Sequence, residues 1–116
     1  MGESIILNKS KAFAIRIIKL YKYLTEEKHE FVLSKQLLKS GTSVGANCRE
    51  ASRAQTKADF IAKMSISLKE ADETCYRLEL LKETDYIKEK EFNSIYGDAE
   101  ELVKMLVSII KTAKSK

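Results

Sequence analysis

The chain has 116 residues, about the size of one compact domain and too short for two separate cores. Proline is absent and glycine occurs four times, while Lys, Glu, Leu, Ile, Ala and Ser supply most of the sequence, a mixture that favours helices and leaves few turn-formers for a sheet. The formal net charge of +4 divides into a net +6 over residues 1–58 and −2 over residues 59–116, an asymmetry that suits a polyanionic partner for the first half and also serves ordinary solubility.

The first helix is expected to begin after Asn8 or Ser10, either of which can cap the free amides of an opening turn, and to run to about Leu24. Phe13, Ile17, Leu20, Tyr21 and Leu24 form its apolar stripe. Thr25-Glu26-Glu27-Lys28-His29-Glu30 is polar and aperiodic, which suits a tight connection between antiparallel helices. A second helix starting between Phe31 and Ser34 places Leu33, Leu37, Gly41, Val44, Cys48 and Ala51 on one face. Gly41 and Gly45 cost about 1 kcal/mol each relative to alanine in a helix interior, so close packing against another backbone is expected where they stack one turn apart. After a bend near Ala54-Gln55, Thr56 and Asp59 read as a capping box. They open a third helix whose inward positions are Phe60, Met64, Leu68, Ala71, Cys75 and Leu78 and which stops near Thr84-Asp85. The fourth runs from about Glu89 to the terminal lysines, with Phe92, Ile95, Ala99, Leu102, Val103, Leu106, Ile110 and Ala113 inward. Its acids come first and its lysines last, as the helix dipole favours. The pattern predicts an all-α, antiparallel up-and-down four-helix bundle in which residues 1–116 form a single domain.

No stretch approaches the roughly 18 uncharged residues of a membrane span, and the N-terminus shows no secretory leader. The expected location is the cytoplasm, with no membrane partner and with Cys48 and Cys75 as free thiols.

Catalytic equipment is not visible. Glu26 and His29 have the Glu-x-x-His spacing of bundles that bind two metal ions, but the pair falls in a turn and the chain has one histidine, so no metal is expected. Ser108 and Lys111 match a Ser-x-x-Lys spacing without its companion motifs. Gly41-Thr-Ser-Val-Gly45 lacks the Lys-Ser/Thr pair and preceding strand of a phosphate loop. Cys48 lies on an apolar stripe without a nearby histidine. The reading is a non-enzyme with no cofactor and no small-molecule substrate.

Two features point to binding. If the second helix stays continuous, Lys35, Lys39, Arg49, Arg53 and Lys57 fall within a sector of roughly 80° opposite its buried face, with Thr42 and Ala46 forming a low notch between them. Lys9, Lys11, Arg16, Lys19 and Lys22 add cations from the first helix, and Arg16 and Lys19 join the candidate set. Such a face contacts phosphates of RNA or DNA with little base specificity, although lysines and arginines are also ordinary solvent-facing residues. Tyr21, Tyr23 and Tyr76 can stack on bases or serve as half-buried packing residues. Secondly, Ile15, Ile18, Ile66, Leu80 and Leu81 point away from their stripes. They are either scattered surface residues, the margins of wide stripes, or an interface between copies of the chain.

The stretches KAFAIRIIKLYKYL, EFVLSKQLLKSGTSVGANCREA and AQTKADFIAKMSISLKEADETCYRLELLKETDYI resemble the bacterial four helix bundle protein family, related to proteins encoded in intervening sequences of 23S ribosomal RNA genes. The resemblance spans about residues 9–110, and SGTSVGAN followed by KADFIAKMSISLKEA is its most specific part. It implies the up-and-down fold and a homo-oligomer, as in members that form a homopentameric barrel. A related accessory protein of diversity-generating retroelements is a basic pentamer that binds nucleic acid and a reverse transcriptase, which implies RNA or DNA as a partner here. Cys48 and Arg77 depart from the pattern, standing where members often carry an aliphatic and an aromatic residue. The competing expectation is a protein-interaction scaffold whose lysines only maintain solubility.

Overall fold

Buried side chains recur at spacings of three and four along all four helices, and this periodicity sets the architecture. The computed structural model describes the backbone of residues 2–116 and the side chains of residues 4–116. Helix α1 spans Gly2–Glu26, α2 Leu33–Ser52, α3 Lys57–Glu83 and α4 Glu89–Lys114, with no strand among the described residues. Each helix packs on its sequence neighbour, α4 returns against α1 along the sparsest seam, and the described backbones of diagonal helices stay apart. The result is the expected up-and-down bundle, elongated to 46 × 20 × 19 Å.

Helix α1 starts at Gly2, upstream of the expected cap at Asn8 or Ser10. Ile6 is fully buried one turn before Ser10, so the apolar stripe reaches back past the polar residues that resemble a start. Ser10 is not a cap. It is buried, donates to the Leu7 carbonyl at 3.3 Å, and packs beside Gly45.

Glu30, expected in a featureless turn, caps α2. One carboxylate oxygen accepts from the backbone N–H groups of Val32 and Leu33 at 3.2 and 3.0 Å, and the other accepts from Ser34 at 2.7 Å. Burial alone would raise its pKa, but these backbone donors outweigh it and hold the carboxyl below its ordinary value. At the next turn the Thr56 hydroxyl accepts from Asp59 N–H at 3.0 Å, the N-cap half of the expected capping box. Helix α3 ends after Glu83 in a tight reversal. Tyr86 N–H donates to Leu81 O at 2.9 Å, Asp85 N–H donates to Lys82 O at 3.1 Å, and Asp85 takes the left-handed conformation with φ 67°.

Small residues let α2 sit deep between α1 and α3. A Cβ on Gly41 would lie 2.7 Å from Ile17 Cγ1, and one on Gly45 would lie 3.3 Å from Ser10 Oγ. On the other flank, Ser67 donates to the Val44 carbonyl at 2.8 Å and pairs with Cys48 Sγ at 3.2 Å, while Thr74 and Ser40 hydroxyls lie 2.9 Å apart. Their pairing makes these buried hydroxyls tolerable, and no buried side-chain oxygen or nitrogen among the described residues lacks a partner.

Candidate nucleic-acid interface

The basic residues divide between two seams of the bundle. Helix α2 carries Lys35, Lys39 and Arg49, all exposed, and stops at Ser52. Arg53 is its exposed C-cap residue, with φ −109° and ψ 11°. The continuous five-cation line therefore breaks before Lys57. That lysine belongs to the first turn of α3, and its ammonium donates to the Lys116 carbonyl at 2.5 Å. The bend at residues 53–56 is the cause, because it resets the rotation that aligned Lys57 with the others.

On α1 the cations are split by helical rotation. Lys9 and Arg16 are seven residues apart and lie within about 20° of each other, whereas Lys11 lies about 160° away from Lys9. Lys9 and Arg16 meet α4: Lys9 Nζ is 3.2 Å from Glu101, and Arg16 Nη1 is 2.6 Å from Asp98. Arg16 also donates to the Ser94 hydroxyl at 3.0 Å. Its fork is thus occupied in closing the α1/α4 seam, which corrects its expected place on a free phosphate-binding face. Lys19 is exposed on that same seam, beside Leu20, Tyr23, Ile87 and Glu91.

Lys11 instead faces α2. Together with Leu7, Ala14, Thr42, Gly45, Ala46, Arg49, Glu50 and Arg53 it lines a groove of about 500 Å³, the notch expected at Thr42 and Ala46. Lys11 is counted in the sequence among the cations of α1 but not singled out. The signal that finds it is the Ser10–Gly45 contact, which sets the register of α1 on α2. Among the side chains described, those of residues 4–116, Lys35, Lys39, Arg49, Arg53 and Lys11 form no ion pair, and Glu50 is engaged by Lys63 at 3.0 Å.

The apolar candidates also divide. Ile15, Ile18 and Ile66 are 47%, 38% and 43% exposed, but Leu81 is fully buried in the core, which leaves it no surface for another copy. Leu81 follows Leu78 by three residues and simply continues the α3 stripe. Leu80 is half-buried. Ile15 and Ile18 lie on α1 and Ile66 on α3, diagonal helices whose backbones stay apart, so these exposed residues do not form one patch.

Tyr21 and Tyr23 are half-buried, and Tyr76 is exposed. Glu26 and His29 are exposed at the first turn, and no group of three metal-ligating side chains occurs among the described residues. Burial pushes both thiols up, Cys75 to about 11 with help from Asp72, Glu100 and Glu79, so they stay protonated near neutrality. No described helix is long and apolar enough to cross a membrane.

The model of the 23S rRNA-intervening sequence protein family matches residues 2–108, which include the whole α1/α2 pair. The chain belongs to that family. A crystal structure of a protein with unknown function from the S23 ribosomal protein family of Bacteroides thetaiotaomicron is similar to it at 55% identity, covering 96% of this chain and 99% of that one, with a TM-score of 0.94. No functionally curated protein matches. Family membership and this structural likeness establish the fold.

Proposed function

We propose that this member of the 23S rRNA-intervening sequence protein family is a non-enzymatic, cytoplasmic nucleic-acid-binding protein that contacts RNA or DNA phosphates through its α1/α2 face. The observation that carries the reading is the contrast between two seams. Lys9 and Arg16 are matched by carboxylates on α4, whereas Lys35, Lys39, Arg49 and Arg53 are exposed on the other side and have no ion-pair partner among the side chains of residues 4–116. Cations held unneutralised on one face attract a polyanion and release its counterions. The protein acts as a homo-oligomer, with a pentamer as the expected state, and exposed Ile15, Ile18 and Ile66 supply apolar surface for contacts between copies.

A protein-interaction scaffold is the second reading. It is favoured by Phe31 and Val32, 60% and 68% exposed at the α1–α2 turn, where no cation is needed for docking.

Replacing Arg49 and Arg53 together by glutamate separates the two. For single strands each phosphate contact contributes about 0.7 to the slope of log K against log salt, so losing two contacts flattens that slope by about 1.4. Fluorescence anisotropy across a salt series reads it, with circular dichroism to show an intact helix content. Binding and salt dependence equal to wild type in the double variant remove the assigned face. A stable protein complex that persists at high salt, with no oligonucleotide binding, favours the scaffold.

A further inference from the structure

The α1/α2 face is not a uniform stripe. Between Lys39 and Arg49 the side chains shrink to Thr42, Gly45 and Ala46, and α1 meets this stretch with Leu7, Lys11 and Ala14. Gly45 brings the backbones together at Ser10, while Ala14 and Ala46 leave the space beside that contact unfilled. The outcome is a recess of about 500 Å³ with Lys11, Arg49 and Arg53 around it. The carboxylate of Glu50, the one among the described side chains that line it, is already paired with Lys63 on α3. Farther along α2, Lys35 and Lys39 stand on the exposed helix surface outside the recess.

These two environments suit different phosphates. An internal phosphodiester carries one negative charge and has chain leaving on both sides, so it fits single cations on an open surface. A terminal phosphomonoester carries close to two charges at neutral pH and presents three acceptor oxygens. It also projects from a chain end, so it can enter a recess where three cations gather. Arginine forks bind such a group through paired N–H donors, and lysine adds a compact point charge. Arg53 is also where α2 stops, so a strand following the cations of this helix runs out at the recess.

We infer that the recess between α1 and α2 holds the terminal phosphate of a nucleic-acid strand, with Lys11, Arg49 and Arg53 as its ligands, while Lys35 and Lys39 contact internal phosphates. This rests on the nucleic-acid reading above and specifies which part of the strand is recognised.

Anisotropy titrations of the full chain use short single-stranded RNA of mixed sequence, labelled internally and ending in a 5′-phosphate, a 3′-phosphate or hydroxyls at both ends. A phosphate at one end tightens binding about fivefold. Ala46→Leu fills the recess at an exposed helical position without changing charge and cancels that gain. Equal affinity for all three strands overturns the terminal-phosphate site while leaving the phosphate-binding face in place. A gain that survives Ala46→Leu overturns the assignment to this recess. Nucleoside 5′-monophosphate bound as tightly as the phosphorylated strand assigns the recess to a mononucleotide and overturns the strand-end reading. Absence of binding to any strand overturns both proposals.

Discussion

Gly41→Ala tests the contact on which the α1/α2 face depends. The added methyl would lie 2.7 and 2.8 Å from Ile17 Cγ1 and Cγ2 and 3.1 Å from its Cβ. Ile17 is fully buried, and these atoms are the branch point of a stiff side chain rather than its free end. Relief therefore requires α1 and α2 to separate. Overpacking of this kind costs about 1–3 kcal/mol, and the better helix propensity of alanine returns about 1 kcal/mol, leaving a net loss of about 0–2 kcal/mol. For a chain of this length, 1 kcal/mol corresponds to a fall in Tm of roughly 4 °C. Gly97→Ala is the control: nothing lies within 4 Å of its added Cβ, so propensity alone acts and stability rises by about 0.5–1 kcal/mol. In an Ile17→Ala background both Cγ atoms are gone, and Gly41→Ala turns from neutral or destabilising to stabilising, with a coupling of about 1 kcal/mol or more. Urea unfolding followed by circular dichroism, at one fixed protein concentration because assembly adds to apparent stability, reads all the variants. Equal stabilisation by Gly41→Ala and Gly97→Ala, with no coupling to Ile17, would refute the close approach.

Two further outcomes follow from the helix ends. Asp85→Gly relieves a left-handed residue at the end of α3; the strain removed is about 1–2 kcal/mol, glycine gives back about 0.5–1 kcal/mol in unfolded-state entropy, and a Tm increase of a few degrees checks the balance. Glu30 has a folded-state pKa below its ordinary 4.5, so its ionised cap contributes stability above about that pH and loses it as pH falls through the lower folded value. Glu30→Gln therefore lowers stability at pH 7 by about 1 kcal/mol and makes the acid limb shallower, whereas an unchanged stability–pH profile would contradict the cap.

The Thr56 cap and the end of α3 near Thr84 are readable because their signals are local. So are the inward faces of α2, α3 and α4. The reading fails where a neighbour overrides a local sign. Asn8 and Ser10 resemble caps, yet burial of Ile6 draws the helix past them. Leu81 looks like a surplus leucine until the α3 stripe is carried one step farther. Glu30 sits in a stretch without periodicity, and its role as a cap depends on a side chain folding back on the next helix.

The order of apolar residues along the chain determines four amphipathic helices and their antiparallel succession, because each helix must bury the stripe that its own rotation creates. Only packing decides which flank of a helix meets which neighbour. That is why Lys9 and Arg16 end against the acids of α4 while Lys11 joins Arg49 and Arg53, although all five stand in the same positively charged half of the sequence. Charge can be counted along a chain, but whether it is neutralised depends on distances between residues that are far apart in sequence.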